Sequence, residues 1–175
     1  MKKLPLTQGK FALVDNDDFK FLSAYKWYAR FDGLNYYAVR NGRYTKYGRV
    51  PIQMHRVIIN ASKGMFVDHI NHNGLDNRKK NLRLCNKAEN CRNQKIRANK
   101  TSQYKGVHLY KGTGRNFAYR AWRASISFEG RCICIGDFKL ESVAALAYNK
   151  KAKELFGEFA YLNKLKSRRK GVNKC

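Results

Sequence analysis

The alternation of apolar and polar residues over positions 65–93 predicts a strand, a loop, a second strand and a helix, in that order. A short apolar run, Met65–Val67, passes at once into a polar loop that is rich in turn-forming residues. Leu82–Leu84 then alternates as a strand with one buried face does. Because Asn86 lies three residues before Glu89, a variant of the capping box, we expect the helix to begin there.

Strand and helix signals also occupy the N-terminal part of the chain. Phe11–Val14 predicts a strand that ends in a solvated acidic turn at Asp15–Asp18. The apolar and aromatic residues of Phe19–Tyr28 predict a short helix after that turn.

A β-hairpin is predicted next. Tyr36–Arg40 has the composition of a strand, and the Asn41-Gly42 dipeptide that follows is the strongest short signal for a hairpin turn. We expect the return strand over Arg43–Tyr47, with basic and tyrosine side chains on the exposed faces.

The second half of the chain predicts three strands and a helix. Tyr104–Tyr110 and Arg131–Gly136 have strand composition, and Trp122–Phe128 alternates strictly between apolar and polar residues. Glu141–Phe156 carries one apolar stripe at helical spacing, and Gly157 fits its C-terminal end. The helix would cover one face of the sheet and leave the other polar, basic and free.

These patterns predict an α+β fold. A small N-terminal β-sheet region leads into the strand–loop–strand–helix unit, and a three-stranded antiparallel sheet packed on one helix follows. We expect a first domain over residues 1–97, a polar linker over 98–103, a second domain over 104–163 and a basic tail over 164–175.

The charge of the chain narrows the class of partner. Its 175 residues contain 37 lysines and arginines against 12 acidic residues, a formal net charge of +25, which attracts polyanions. Nucleic acid is therefore the expected partner. RNA is one alternative, which charge and aromatic content alone suggest. A membrane is not expected, because no apolar run is long enough to cross one and no basic helix has an aromatic face. The first residues lack the apolar core of a signal peptide, so we expect a cytoplasmic protein.

The cysteines are not spaced for a structural metal. There are five, and neither the Cys85/Cys91 pair nor the Cys132/Cys134 pair has zinc-knuckle spacing. We therefore expect reduced thiols and no structural zinc.

Candidate chemistry lies where the first strand of the 65–93 unit ends. Asp68 offers a carboxylate and Asn90 an amide oxygen, and both can reach one cation if the helix packs across the strands. Oxygen ligands suit a hard divalent metal, Mg²⁺ or, as a second option, Mn²⁺. His69 would point to the opposite face of the strand, where its imidazole can take a proton from an attacking water.

On these residues the segment resembles the HNH (ββα-metal) nucleases, in the phage and intron homing-endonuclease branch. The resemblance implies that His69 is the general base, that Asp68 and Asn90 bind the metal, and that Asn81 braces the loop. Asparagine at position 90 corresponds to the H-N-N variant of the motif. His55 and Arg56 match a His-Arg pair that similar nucleases often carry upstream, where a structural or phosphate-contacting role is expected.

The second half resembles the AP2/ERF DNA-binding domain. The resemblance lies in the segments Y-K-G-V (104–107), W-R-A-S-I (122–126), I-G-D-F (135–138), A-A-L-A-Y (144–148) and A-Y-L-N (160–163). It implies that the free face of the sheet enters the major groove of double-stranded DNA. The residues directed towards DNA would be Lys105, His108, Tyr110, Arg123, Ser125 and Ser127. His108, Cys132 and Cys134 stand where this family usually has arginines, so its sequence preference does not carry over.

Further DNA contacts are expected from Arg78, Lys79 and Arg83 around the loop. Arg78 is the preferred phosphate clamp, because a planar guanidinium can hold phosphate bidentately. The basic and aromatic N-terminal hairpin would lie on DNA or, equally, form a solvated face over an aromatic core. The basic tail would add non-specific affinity.

Together these features predict a metal-dependent DNA endonuclease of the homing type, acting as a monomer on DNA. His69 would activate water while Asp68 and Asn90 hold the metal, and the AP2-like domain would target the enzyme. The alternative is a non-catalytic, sequence-specific DNA-binding regulator that retains the motif as a scaffold.

Overall fold

The structure is a computed structural model that describes residues 1–46, 48–94, 101–111 and 120–165. The chain forms two compact units, Met1–Asn93 and Gln94–Cys175. Both combine small antiparallel sheets with helices, so the predicted α+β class is confirmed. Within the described residues, no helix is both long and apolar enough to cross a membrane.

The first unit is built from short elements that form three small antiparallel sheets. In chain order they are β1 (Lys2–Pro5), β2 (Phe11–Val14), α1 (Asn16–Ser23), β3 (Tyr28–Phe31), β4 (Tyr36–Thr45), β5 (Gly48–Gln53), α2 (Met54–Ile59), β6 (Phe66–His69), β7 (Leu82–Cys85) and α3 (Lys87–Asn93). The sheets are β1–β2, β3–β4–β5 and β6–β7. Helix α2 packs against β4 and β5 and also against β6 and β7, so it links the N-terminal sheet to the 65–93 unit.

The hydrophobic core of the first unit holds these elements together. Leu22, Met54 and Val14 are fully buried and belong to α1, α2 and β2. Trp27 is also buried, and its indole N–H donates to the carbonyl of Leu22 at 2.8 Å. A buried indole with a satisfied donor makes a rigid anchor, which holds the segment after α1 against the core.

The acidic turn predicted at Asp15–Asp18 is wrong. These residues lead into and begin α1, and Asp17 and Asp18 lie in its first turn. Carboxylates are favourable there because the N-terminus of a helix carries partial positive charge. The helix predicted over Phe19–Tyr28 is therefore displaced, and α1 already ends at Ser23.

The hairpin turn predicted at Asn41-Gly42 is also wrong. Both residues lie inside β4, at a shift in its register with β5, and the chain turns instead between Thr45 and Gly48. The return strand is thus Gly48–Gln53. A Cβ at Gly42 would lie 2.5 Å from the carbonyl oxygen of Val50, so this glycine permits close strand contact rather than a turn.

The 65–93 unit follows the predicted order of strand, loop, strand and helix. In the antiparallel β6–β7 pair, Asp68 stands opposite Arg83 and His69 opposite Leu82. The capping box at the start of α3 is confirmed. The backbone N–H of Asn86 donates to Glu89 at 2.8 Å, and the backbone N–H of Glu89 donates to Asn86 Oδ1 at 2.9 Å.

The second unit has the predicted antiparallel sheet and helix. Its elements are β8 (Val107–Lys111), β9 (Arg120–Phe128), β10 (Arg131–Phe138) and α4 (Glu141–Phe156). β9 is the central strand, and Ala124 and Ile126 on it pack against Ala144 and Tyr148 of α4. The sequence Lys111-Gly112-Thr113-Gly114 predicts a glycine-rich turn after β8, and residues 112–114 lie outside the described residues. Ser102, from the predicted linker, is buried and donates to Glu141 at 2.7 Å.

Candidate active site

His69, the last residue of β6, is buried in a cluster of aromatic rings. Its ring centroid lies 5.0 Å from that of His55 on α2 and 5.7 Å from that of Tyr37 on β4. The rings of Tyr37 and His55 are 5.8 Å apart, and all three pairs meet edge to face. Three different elements therefore hold the imidazole in place.

Burial keeps this cluster neutral. It lowers the pKa of His69 below 6.5, against the opposing effect of the nearby groups Asn77, Asp68 and Asp76. Burial, together with the smaller effects of the neighbouring His69 and Arg56, lowers the pKa of His55 from 6.5 to about 3. Among the described residues, His69 Nε2 and His55 Nδ1 are buried without a hydrogen-bond partner. A neutral imidazole with an unpaired nitrogen can accept or donate one proton.

The carboxylate of Asp68 points away from the rings, as the alternation of side chains along a strand requires. Its Oδ2 accepts from Arg83 Nε at 3.0 Å and from Arg83 Nη2 at 2.7 Å. The same oxygen accepts from Asn93 Nδ2 at 2.7 Å. The predicted metal ligand is thus ion-paired across the β6–β7 register, and Arg83, the predicted DNA contact, is its partner.

Asn93 is a site residue that the sequence patterns did not predict. The predicted ligand Asn90 is half-buried and lies one helical turn earlier on α3, whereas Asn93 is the buried α3 residue that meets Asp68. A spacing of three residues puts both asparagines on one helix face, and this spacing was the available signal.

Asn81 bridges the two ends of the loop between β6 and β7. Its buried side chain donates to the carbonyl of Asp76 at 2.7 Å and accepts from the backbone N–H of Asn71 at 3.0 Å. Asp76 in turn accepts from Arg78 Nε at 2.7 Å, and this contact is the main reason why the pKa of Asp76 is lowered. The fork of Arg78, the predicted phosphate clamp, is therefore engaged within the loop in this structure.

Residues at the end of β2 and the start of α1 also contact the loop between β6 and β7. The backbone N–H of Leu13 donates to the carbonyl of Leu75 at 2.8 Å. The backbone N–H of Lys79 donates to Asp15 Oδ2 at 2.8 Å, and Lys79 Nζ lies 3.1 Å from Asp18. The acidic cluster of the N-terminal region thus braces the loop, and Lys79 contacts protein carboxylates here.

In the second unit, the residues predicted to contact DNA lie mostly on the sheet face opposite α4. His108 stands opposite Arg123, whose guanidinium lies 3.5 Å from the ring centroid of Tyr110 and pairs with Asp137 at 2.7 Å. Ser127 is exposed on the same strand, and Ser125 is half-buried. Lys105 precedes β8, and its backbone N–H donates to Asn163 at 2.7 Å.

A buried histidine beside a carboxylate on a β-hairpin with a short following helix is an arrangement suited to a nuclease site. A family model described as HNH endonuclease matches residues 45–92, which include Asp68, His69, Asn81 and Asn90. The chain belongs to the HNH endonuclease family, and it is therefore a nuclease.

The relatives support this assignment over most of the chain. An uncharacterised HNH endonuclease of Acanthamoeba polyphaga mimivirus is 34% identical over an alignment of 164 residues, and the match covers 90% of this chain and 77% of the relative. Protein 3.8 of Escherichia phage T7 is 34% identical over 98 residues, 56% of this chain and 75% of that protein. No solved structure gives a significant match.

HNH nucleases generally use a divalent metal, and the donor atoms at this site fit a hard cation. Asp68 carries a carboxylate, and Asn90 and Asn93 of α3 carry amide oxygens, which are the ligand types that Mg²⁺ and Mn²⁺ prefer. The part of the chain that the structure describes contains no cluster of three or more His, Cys, Asp or Glu that could hold a metal. A cation at Asp68 would therefore keep several waters.

Proposed function

We propose that this protein is a metal-dependent DNA endonuclease of the homing type that hydrolyses phosphodiester bonds with His69 as general base. The observation that carries the proposal is the neutral, buried His69 at the end of β6, with Asp68 beside it on the opposite face. Its Nε2 has no hydrogen-bond partner within the part of the chain that the structure describes. Base and metal ligand are separated but adjacent, as metal-assisted hydrolysis requires.

In the proposed reaction, His69 takes a proton from a water whose oxygen then bonds to phosphorus. The bond from phosphorus to the 3′ oxygen breaks, and that oxygen leaves. Asn81 holds the loop so that His69 keeps its orientation. When bound at Asp68 and Asn90, a divalent cation, Mg²⁺ or Mn²⁺, supplies stabilisation of negative charge on the phosphate and on the leaving oxygen.

Targeting is proposed to come from the second unit, as an AP2-like domain on double-stranded DNA. The polar sheet face with His108, Tyr110, Arg123 and the two serines supports this role, because a sheet can present side chains to the edges of bases. The pairing of Arg123 with Asp137 would have to open, or turn towards the groove, for Arg123 to contact a base.

The function is tested with supercoiled DNA carrying a mapped binding site, incubated with Mg²⁺ or with EDTA. We expect conversion to open-circular or linear DNA with Mg²⁺ only. The relative amounts of the two products distinguish nicking from cleavage of both strands. Tight binding without any metal-dependent product on this DNA would contradict the proposed metal-dependent cleavage of DNA.

A second prediction concerns Arg83, which occupies the carboxylate of the proposed metal ligand. Replacing Arg83 with glutamine should raise the affinity of the DNA-free protein for Mn²⁺ by up to about tenfold, equivalent to ~1.4 kcal/mol. The physical reason is that the guanidinium and the cation compete for Asp68. Titration of free Mn²⁺ by electron paramagnetic resonance measures this directly, without cleavage.

Lys87→Gln is the matched control, because it removes one positive charge from the exposed start of α3. It should change Mn²⁺ affinity much less than Arg83→Gln. Equal affinities in the wild type and the Arg83→Gln variant would mean that arginine and cation do not share Asp68.

A further inference from the structure

A second candidate site lies in the first unit, in a part of the sheet that precedes the segment matched by the family model. It is a pocket of about 440 Å³ along β3 and β4. Its lining residues are Thr7, Tyr25, Lys26, Trp27, Tyr28, Arg40 and Asn41. These residues include two cations and no carboxylate, so the pocket is positively charged.

Aromatic rings fix the guanidinium of Arg40 in this pocket. Its central carbon lies 4.2 Å from the ring centroid of Tyr25 and 5.6 Å from that of Trp27. Trp27 is only 5% exposed and is hydrogen-bonded to Leu22, so this wall is rigid. Stacking of this kind orients the plane of the guanidinium and lowers the conformational entropy that it loses on binding a ligand.

Arg40 also has a donor that no atom of the described residues uses. Its Nε is buried without a hydrogen-bond partner among the described residues. A buried donor left in this state costs free energy, and an acceptor that reached it from the pocket would remove that cost. Lys26 is exposed and adds a second positive charge at the pocket.

The neighbouring groups suit a nucleotide better than a simple anion. Tyr25 remains 40% exposed beside Arg40, so it offers apolar surface to a sugar or base. The hydroxyl of Tyr28 lies 3.4 Å from Asn41 Oδ1 and supplies polar contacts. Guanidinium, ammonium and an open aromatic surface together match a phosphate with its attached nucleoside.

We propose that this pocket binds a phosphate of the substrate DNA strand, with Arg40 on the phosphate and Tyr25 against the adjoining sugar or base. The inference rests on the proposed function, because it takes DNA as the substrate. It adds a DNA-binding site outside the nuclease segment, on the sheet that also contributes Tyr37 to the wall of His69.

The pocket can be tested with its own tryptophan. The chain has two tryptophans, so Trp122→Phe leaves Trp27 as the only one. In a cleavage-deficient His69→Ala background, a duplex carrying the mapped site should quench Trp27 fluorescence. Inorganic phosphate, at a concentration equal to that of the phosphate groups in the duplex, should not quench this fluorescence. An equal response to both would overturn a site for the DNA strand, and so would the absence of any response to bound duplex.

The contribution of Arg40 is measured by duplex affinity as a function of salt. Arg40→Gln should weaken binding by about fivefold to tenfold and reduce the slope of log K against log salt by about one. Arg40→Lys should recover part of the affinity, because it keeps the charge but not the planar fork. Lys20→Gln, which removes an exposed charge of α1 outside the pocket, is the matched control.

The proposal is overturned if Arg40→Gln and Lys20→Gln weaken binding equally, since the effect would then be one of total charge. Failure of the proposed function is a separate result, because metal-dependent cleavage is measured on the wild-type enzyme. The melting temperature of each variant, compared with that of the wild type, distinguishes a loss of binding from a loss of folding.

Discussion

Replacing His69 with alanine should lower the rate of DNA cleavage by about 10²–10⁴-fold, the usual contribution of a general base. Duplex affinity should remain within about twofold, because a neutral side chain makes no ionic contact with phosphate. Single-turnover cleavage at saturating protein separates the chemical step from binding, and a gel shift in EDTA measures affinity. The predicted result is a loss confined to the chemical step.

His72→Asn is the matched control for this experiment. His72 lies in the same loop and has a positive φ of 60°, a conformation that asparagine tolerates well. This variant should retain most of the cleavage rate. If His69→Ala instead lost DNA binding or melted at a much lower temperature, His69 would be a structural residue and not the base.

The second large effect is expected on the free energy of unfolding when the pH is lowered. His55 has a pKa of about 3 in the folded protein, against about 6.5 for an unfolded histidine. Between these values the unfolded chain binds a proton that the folded protein excludes. The free energy of unfolding contributed by this group should therefore fall by about 1.4 kcal/mol for each pH unit below 6.5, or about 2 kcal/mol at pH 5.

Above pH 6.5 both states of His55 are neutral, so no effect is expected there. The lowered pKa of His69 adds an effect of the same sign. Urea unfolding of the Trp122→Phe protein, followed through Trp27, measures the stability of the first unit at pH 7.5 and pH 5.

His55→Phe should flatten this pH dependence, because phenylalanine fills the ring site without a titrating group. His108→Phe, a change at an exposed histidine of the second unit, serves as the control and should leave the dependence of the first unit unchanged. A His55→Phe protein that loses stability with acid as steeply as the wild type would contradict the prediction.

The ring cluster joins the segment matched by the family model to the part of the N-terminal sheet that precedes this segment. Tyr37 precedes the matched segment 45–92, yet its ring lies 5.7 Å from that of His69. Gly74 in the loop packs against the same strand, where a Cβ would lie 2.5 Å from the carbonyl oxygen of Tyr36. The N-terminal sheet is thus a wall of the candidate site, and its removal should expose His69 to water and raise its pKa towards the ordinary value.

Local patterns predicted those parts of the fold that neighbouring residues determine. The capping box at Asn86 and Glu89 is one example, because its two hydrogen bonds join residues three apart. The alternation of Asp68 and His69 is another, since successive side chains on a strand point to opposite faces whatever surrounds them. The apolar stripe over Glu141–Phe156 likewise predicted α4 with its observed bounds.

Local patterns gave wrong predictions where contacts between distant parts of the chain determine the structure. Asn41-Gly42 has the sequence of a turn, but pairing with β5 and the close approach of Val50 place it inside β4. Asp15–Asp18 has the composition of a solvated turn, but Asp15 and Asp18 bind Lys79, more than sixty residues along the chain. A pattern of neighbouring residues contains no information about such partners.

The sequence by itself determined the class of chemistry: a histidine and a carboxylate at a strand end, an asparagine-braced loop and a strongly basic chain. Only the tertiary structure decided which groups surround them. It brought His55 and Tyr37 onto His69 and paired Asp68 with Arg83 and Asn93. It also placed Arg40 beside two aromatic rings, with a buried donor that none of the described residues accepts from. The physical reason is that residue types fix the available donors and acceptors, whereas burial and pairing depend on elements that meet only when the chain is folded.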